Sequence, residues 1–131
     1  MNNIKLENKP SVTYQASNKS NDQLYILKTL LKNHLISILP EKGHSLHQVA
    51  SYHFKDFGKM LRGTTSLAIA SAIGLNEDAA INWALSVELM HNASLVHDDV
   101  CDEDSQRRYN PTIFANFGAP LAICFGDWLV A

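Results

Sequence analysis

The sequence predicts an all-α fold in which the helices pack as antiparallel neighbours. Apolar residues recur at three-to-four spacing between Leu24 and Ile38, the period of an amphipathic helix. No segment shows the sustained apolar–polar alternation of a strand. Glycine and proline separate the helical segments by short loops, which favour antiparallel packing. With 131 residues, 46% of them hydrophobic, the chain can bury the core of one domain.

Composition narrows the class of protein. A formal net charge of -2 gives no global reason to expect nucleic-acid binding. Residues 1–21 are rich in Asn, Lys and Ser, so we expect a mobile tail. They lack the apolar region of a secretory signal, and no later segment is apolar for long enough to span a bilayer. Cys101 and Cys124 form no C-x-x-C pair. We therefore predict a cytoplasmic protein.

The first two helices are predicted from periodicity and from the residues that interrupt it. The first covers residues 22–39, and Pro40 and Gly43 end it. Ser45 is a residue of the type that caps a helix, so the second helix is predicted to follow it and to stop near Gly58.

A turn that contains Gly74 is predicted to connect the third and fourth helices. Gly74 ends the third helix, "RGTTSLAIASAIGL", and Asn76 caps the long fourth helix, with Asp78 in its first turn. Small side chains in the third helix would let a neighbouring helix approach closely; they are Ala68, Ala70, Ser71 and Ala72.

The last part of the sequence predicts a short helix, "IFANF", and then a final apolar helix that begins after Gly118 and Pro120. That helix is still apolar at Ala131, so we expect the chain to be truncated within a longer domain. We also expect its apolar side chains to be uncovered; they are Leu121, Ile123, Phe125, Trp128, Leu129 and Val130.

Five carboxylates occupy the seven positions from Asp98 to Asp104. Asp98 and Asp102 lie one turn apart on a helix, and Asp99 is rotated from Asp98 by about 100°. Negative charge at a helix C-terminus is disfavoured unless a cation offsets it, and oxygen ligands suit Mg²⁺. A solvated acidic turn is the alternative. An EF-hand is excluded, because Arg107 falls where its loop requires glycine and Ile113 where it requires glutamate.

Basic residues accompany the acidic cluster in two places. Arg107 and Arg108 follow it directly, and guanidinium groups beside magnesium ligands suit a diphosphate. Lys59 and Arg62 lie three residues apart after Gly58, at the start of a helix, where backbone N–H groups also attract anions. The sequence therefore predicts two phosphate-binding elements.

Five motifs occur in order between about residue 57 and residue 131: "GKMLRG", "VELMHNASLVHDDVCD", "RRYNPT", "FG" and "GD". In this arrangement the chain resembles the trans-isoprenyl diphosphate synthases, also called polyprenyl synthetases. The resemblance implies an isoprenoid-synthase helix bundle, with residues 22–131 as its N-terminal part. Many bacterial members have arginine and proline where this chain has Met60 and Gly63. Tyr109 replaces a usual glycine, so the backbone there is expected to differ.

The resemblance also implies roles for particular residues. Asp98, Asp99 and Asp102 would be catalytic, with Asp98 and Asp102 as ligands of the Mg²⁺ that binds the allylic diphosphate. Arg107 would contact the same diphosphate. The residues that would hold isopentenyl diphosphate are Lys59, Arg62, His91 and Arg108. The resemblance gives no such role to the remaining histidines considered: His44, His47, His53 and His97.

The implied function is condensation of isopentenyl diphosphate with an allylic diphosphate to make a longer polyprenyl diphosphate, in a homodimer that binds no nucleic acid. The resemblance implies that Ala93 and Ser94 form the floor of the product tunnel, and their small size favours products of geranylgeranyl length or longer. The family's second aspartate-rich motif is absent from these 131 residues, so the chain alone is expected to be inactive. A non-catalytic fragment or regulatory subunit is the alternative. A terpene cyclase would share DDxxD without explaining "GKMLRG" and the paired arginines.

Overall fold

The computed structural model describes the backbone of residues 12–131 and the side chains of residues 21–131. Within these residues the chain forms six helices and one two-stranded antiparallel hairpin, and the all-α prediction is confirmed. The elements are α1 (Val12–Ile38), α2 (His47–His53), α3 (Leu61–Ala72), α4 (Glu77–Cys101), β1 (Gln106–Arg107), β2 (Asn110–Pro111), α5 (Ile113–Phe117) and α6 (Ala119–Val130).

Helix α4 is the centre of the bundle, because α1, α3, α5 and α6 all pack against it. Its buried residues alternate between small and branched side chains, including Ala80, Ile81, Ala84, Leu85, Ala93 and Val96. Small residues allow neighbouring helices to come close, and the larger ones fill the space between them. A core built around α4 holds the acidic C-terminal end of that helix in a fixed position.

Helix α1 begins at Val12 rather than at residue 22, so residues 12–21 of the predicted tail are helical. The segment contains neither proline nor glycine, so nothing in it stops the helix from extending. Residues 1–11 lie outside the described part of the chain. Leu31 and Leu35 on α1 are fully buried.

The cap predicted for α2 is wrong. The N-cap position is Leu46, not Ser45, and it makes no side-chain cap hydrogen bond. The backbone N–H of Leu46 instead donates to Nδ1 of His44 at 3.1 Å. His44 therefore satisfies the N–H at this helix start, in place of a hydroxyl.

The turn between α3 and α4 agrees with the sequence. Gly74 has φ +81° after α3, and the side chain of Asn76 accepts a hydrogen bond from the Ala79 N–H at 2.9 Å. The predicted stripe of small residues on α3 is only partly right. Ala70 is buried, whereas the other three positions are exposed. The close approach between α3 and its neighbours occurs at Gly63 instead, where an added Cβ would overlap Leu31.

Helix α5 begins as predicted, and Thr112 caps it by accepting from the Ala115 N–H at 3.0 Å. Helix α6 begins at Ala119 rather than after Pro120, because proline is tolerated in the first turn of a helix, where its missing N–H has no partner within the helix. The expectation that the apolar face of α6 is uncovered is wrong for Phe125 and Leu129, which are buried. Phe125 contacts His53 of α2 and stacks on Trp128 of its own helix, and both α2 and α4 pack on α6. Ile123 and Val130 are exposed, as expected; they are 44% and 58% exposed.

No helix in the described residues combines the length and apolar character needed to cross a membrane. Both cysteines are exposed free thiols, in agreement with the absence of a C-x-x-C pair.

Candidate functional site

The acidic cluster lies at the C-terminal end of α4, which closes with a Schellman motif. The N–H of Asp104 donates to the Asp99 carbonyl at 3.0 Å, and the N–H of Glu103 to the Val100 carbonyl at 3.4 Å. Glu103 takes φ +55° at the position usually given to glycine. The turn directs the chain from α4 into the hairpin that carries the two arginines.

The three aspartates of the motif do not face the same way. Asp98 and Asp102 are exposed, one helical turn apart, and the Asp102 N–H donates to the Asp98 carbonyl at 2.8 Å. Asp99 is only 4% exposed. The rotation of about 100° between successive residues thus sends one carboxylate into the protein and leaves two at the surface.

Asp99 binds Arg107, which corrects the grouping of Asp99 with the two exposed carboxylates. Its Oδ1 accepts from Nε of Arg107 at 2.9 Å and from Nη2 at 2.7 Å. The hydrogen bond from the Arg107 guanidinium to Asp99 raises the pKa of Arg107 above its ordinary value. Arg107 is therefore fixed by a buried carboxylate, while Nη1 is not part of that pair.

A tight turn brings Arg108 to the opposite side of the hairpin. Arg108 and Tyr109 both have positive φ, at +51° and +66°, the pattern of a type I′ turn. Strands β1 and β2 pair antiparallel around it. The turn places the Arg108 guanidinium against Gly58, where an added Cβ would overlap it. The rearrangement expected at Tyr109 is thus a left-handed non-glycine residue in an otherwise regular hairpin.

The segment before α3 is held by contacts on both sides of Gly58. The Gly58 N–H donates to Oδ1 of Asp56 at 2.8 Å, and the Gly58 carbonyl accepts from Nζ of Lys28 at 2.8 Å. Gly58 itself has φ +60°, which favours glycine. These contacts position the loop that leads to Lys59 and Arg62.

All four residues assigned to isopentenyl diphosphate line one pocket of ≈ 510 Å³; they are Lys59, Arg62, His91 and Arg108. Nη1 of Arg62 donates to Nε2 of His91 at 3.0 Å. Because arginine cannot accept, His91 must be neutral at that nitrogen. Partial burial, with the nearby Arg62 charge, lowers the pKa of His91 from its ordinary value. The pocket lining thus includes three cations and a neutral imidazole, together with the carboxylates of Asp56 and Glu88.

Sequence reasoning missed three polar residues beside these pockets: His53, Glu88 and Asn92. Glu88 is 4% exposed, and Asn92 lies between the pocket above and a smaller one of ≈ 80 Å³ that Asp99 and Arg107 line. Nε2 of His53 donates to Oδ1 of Asn92 at 2.8 Å. Burial is the main cause that lowers the pKa of His53. A glutamate inside the apolar segment "VELM" was the available signal for Glu88.

The two residues assigned to product length, Ala93 and Ser94, lie on different faces of α4. Ala93 is 1% exposed and faces the core, whereas Ser94 is exposed and its hydroxyl donates to the His91 carbonyl at 2.8 Å. Met90, one turn earlier, is 63% exposed. In this chain, therefore, Ser94 and Met90 share accessible surface that Ala93 does not.

The acidic end of α4 offers two surface carboxylates as possible ligands for a magnesium ion. The described residues contain no cluster of three or more His, Cys, Asp or Glu side chains arranged for a metal. Asp98 and Asp102 nevertheless present two exposed carboxylates one turn apart. Mg²⁺ commonly takes one or two protein carboxylates and keeps its other sites for water and phosphate oxygens, so the pair fits it.

A helix bundle with carboxylates at the end of its central helix and a basic pocket beside them has the architecture of an isoprenoid synthase. The chain belongs to the polyprenyl synthetase family, which it matches over residues 44–131. It is 41% identical over 91 residues to a geranylgeranyl pyrophosphate synthase of Geoglobus acetivorans, an alignment covering 70% of this chain and 28% of that protein. It is 37% identical over 97 residues to a (2E,6E)-farnesyl diphosphate synthase of Mycobacterium tuberculosis, covering 66% and 27%.

The fold agrees with that membership. The solved structure of a geranylgeranyl pyrophosphate synthetase from Geoglobus acetivorans superposes with a TM-score of 0.71 at 35% identity, covering 84% of this chain and 35% of that chain. The described chain thus spans about a third or less of the length of these relatives.

Proposed function

We propose that the protein is a prenyltransferase that condenses isopentenyl diphosphate with an allylic diphosphate to make a longer polyprenyl diphosphate for isoprenoid biosynthesis. The observation that carries this proposal is the convergence of Lys59, Arg62, His91 and Arg108 on one pocket beside the acidic end of α4. The relatives reported above are named as synthases, which supports an enzyme over a regulatory subunit.

The basic pocket is the proposed site for isopentenyl diphosphate. Lys59, Arg62 and Arg108 bring positive charge to a space of ≈ 510 Å³, within the range of small-ligand sites. His91 accepts from Nη1 of Arg62 and so orients the guanidinium rather than competing for the anion. The chain's own role here is to bind and orient the nucleophilic substrate.

The exposed carboxylates are the proposed site for the allylic diphosphate. Asp98 and Asp102 would hold Mg²⁺, which, when bound, supplies charge stabilisation for the departing diphosphate. Asp99 acts differently, because it fixes Arg107 at 2.7 and 2.9 Å and directs that guanidinium toward the same end of α4. Arg107 would then contact the allylic diphosphate while Asp99 holds its Nε and Nη2 atoms.

The proposed reaction separates charge and then forms one carbon–carbon bond. The bond between the allylic carbon and the diphosphate oxygen breaks, and both electrons leave with the diphosphate. The isopentenyl double bond donates its electron pair to the resulting cation. A neighbouring carbon then loses a proton to the departed diphosphate, and the electrons of that C–H bond restore a double bond. Fixed cations around the leaving group stabilise the charge that develops. Exclusion of water protects the carbocation, which fits carboxylates placed at the end of an apolar helix.

Turnover in the protein expressed from its natural gene tests the proposal. Asp98→Ala and Asp102→Ala should each lower kcat by about 10²-fold or more, because each removes a carboxylate from the leaving-group site. Glu103→Ala is the matched control, since it removes an exposed carboxylate from the same cluster without touching the pair. Wild-type turnover in both aspartate variants, with circular dichroism unchanged, would refute the assignment.

Oligomeric state and location are part of the same proposal. We expect a homodimer, as the family resemblance implies, and a cytoplasmic location, as the sequence composition predicts. Sedimentation of the purified protein and fractionation of the cells that make it are the measurements that test these two expectations.

A further inference from the structure

Glu88 is a buried carboxylate whose partners are amides rather than a cation. Its side chain is on the core-facing side of α4 and is 4% exposed. Oε2 accepts from the Gly63 N–H at 2.8 Å, and Oε1 lies 3.4 Å from Nδ2 of Asn92. A buried carboxylate costs free energy unless hydrogen bonds compensate it, so its position needs a structural explanation.

The explanation lies at the start of α3. Gly63 is the third residue of that helix, so its N–H has no partner within the helix. The N-cap residue, Met60, has φ +50° and makes no side-chain cap hydrogen bond. Glu88 therefore supplies from α4 the acceptor that a local cap would supply, and places a negative charge at a helix N-terminus, where it is favoured.

Gly63 is the residue that makes this contact possible. A Cβ at this position would overlap the Leu31 side chain and lie 3.1 Å from Cβ of Glu88. The missing side chain lets α3 approach α1 and α4 closely enough for the hydrogen bond. Proline, which the "GKxxRP" form of the motif has at this position, would offer no N–H.

Asn92 extends the contact to α2. Its Nδ2 donates to the Glu88 carbonyl at 2.8 Å, and its Oδ1 accepts from Nε2 of His53 at 2.8 Å. Amides and one imidazole thus connect α2, α4 and the start of α3. Lys59 and Arg62 lie at that start, on the rim of the basic pocket.

We propose that Glu88 is a positioning residue that caps α3 from α4 and thereby places Lys59 and Arg62 for a diphosphate, with Asn92 holding its carboxylate in place. This role rests on the proposed function for its ligand, but the cap itself does not. The proposal predicts that diphosphate affinity in the basic pocket depends more on whether the side-chain oxygen at residue 88 reaches the Gly63 N–H than on the charge of that side chain.

Two substitutions separate reach from charge. Glu88→Asp keeps the carboxylate but draws it away from the Gly63 N–H, whereas Glu88→Gln keeps an oxygen at the original reach. Glu77→Gln, at an exposed carboxylate in the first turn of α4, is the control. Affinity for inorganic pyrophosphate is measured by calorimetry on the protein expressed from its natural gene. Amide exchange of Gly63 and the Nε–H signal of Arg107 are followed by NMR.

Glu88→Asp should bind pyrophosphate about tenfold more weakly and exchange the Gly63 amide faster, because one hydrogen bond to a charged group is lost. Glu88→Gln should stay within about threefold of wild type, since a neutral acceptor recovers part of that bond. The Arg107 signal should not move in either variant, because the Asp99 pair is separate; general loss of structure would move it.

Wild-type affinity in Glu88→Asp would overturn the proposal, as would Glu88→Gln binding as weakly as Glu88→Asp. If the wild-type chain bound no pyrophosphate, the proposed function would be contradicted instead. The cap would then be decided by Gly63 exchange, which must still accelerate in Glu88→Asp.

Discussion

At the scale of single residues, the site contains side chains in surroundings that are unusual for their type, in burial, in charge state or in backbone conformation. Asp99 is a buried carboxylate stabilised by one guanidinium, and His91 is held neutral between cations. Tyr109 adopts a left-handed backbone, although its side chain is fully exposed. Each of these features costs free energy locally, and each lies at the turn or pocket where the diphosphate sites are proposed.

Tyr109→Gly should stabilise the protein. A non-glycine residue at φ +66° costs about 1–2 kcal/mol, and part of the gain is lost through the extra freedom of glycine in the unfolded chain. We expect the free energy of unfolding in urea to rise by about 0.5–1 kcal/mol. Tyr109→Ala keeps Cβ and should give no comparable gain. An equal gain for alanine would mean that the exposed ring, not the backbone, was the cause.

His53 should make stability depend on pH. Its pKa in the folded chain lies below 6.5, mainly through burial, with Arg108 and Arg107 lowering it further and Asn92 and Asp99 opposing. The neutral ring therefore contributes its full stability above pH 6.5. Below that, the unfolded state takes up protons first, and stability falls until the folded pKa is passed.

The measurement for His53 is the melting temperature between pH 7 and pH 5. His53→Gln removes the titrating ring while its amide can still donate to Asn92, so its melting temperature should fall less over this range. Some dependence should remain, because the pKa of His91 is also lowered. Identical slopes in the two proteins would contradict the assignment.

At the scale of secondary-structure elements, most of the proposed site residues lie at or near helix termini. The start of α3 presents Lys59 and Arg62, the end of α4 presents Asp98 and Asp102, and the hairpin presents the two arginines. These ends are fixed by different devices: a Schellman motif for α4 and a carboxylate from another helix for α3. Helix α4 contacts four other helices. The relative positions of the proposed site residues therefore depend on how α4 is placed among them.

Asn76→Ala should weaken the whole bundle through α4. The Asn76 side chain accepts from the Ala79 N–H at 2.9 Å, and loss of such a cap costs about 1 kcal/mol. We expect the urea midpoint to fall accordingly, while Asn76→Asp, which keeps the acceptor, should remain near wild type. If Asn76→Ala were as stable as the wild type, this cap would not limit the stability of the bundle.

At the scale of the whole molecule, two regions have been brought together that are distant along the chain. Residues around Gly58 meet residues around Arg108, and the basic pocket lies between them. Asp98 and Asp102 lie at the C-terminal end of α4, just before the hairpin that carries Arg108. The proposed condensation requires the two diphosphate sites to be aligned, and the packing of α4 against its neighbours holds both regions in place.

Product length should depend on the exposed face of α4. Ser94 is small and exposed, so it would leave a product tunnel along this face open at that depth, and we expect the protein expressed from its natural gene to extend farnesyl diphosphate. Ser94→Phe should shorten the product, because an aromatic ring would block the path. Ala93→Tyr is less informative here, because Ala93 is 1% exposed and the added ring would overpack the core.

Chromatography of the dephosphorylated products after incubation with farnesyl diphosphate, isopentenyl diphosphate and Mg²⁺ provides the test. Ser86→Phe, at an exposed residue two turns earlier on α4, is the matched control and should leave the product longer than that of Ser94→Phe. If farnesyl diphosphate were not extended, the predicted chain length would be wrong.

Elements with local signals could be predicted from the amino-acid sequence. Gly74 and Asn76 mark the turn before α4, and "IFANF" marks α5, because caps and helical period act within a few residues. Three features became visible only in the folded chain: Asp99 turns inward to Arg107, Glu88 accepts from the start of α3, and Phe125 is covered. Each of these depends on which helix faces meet, and long-range packing sets those contacts without leaving a periodic signal in the chain.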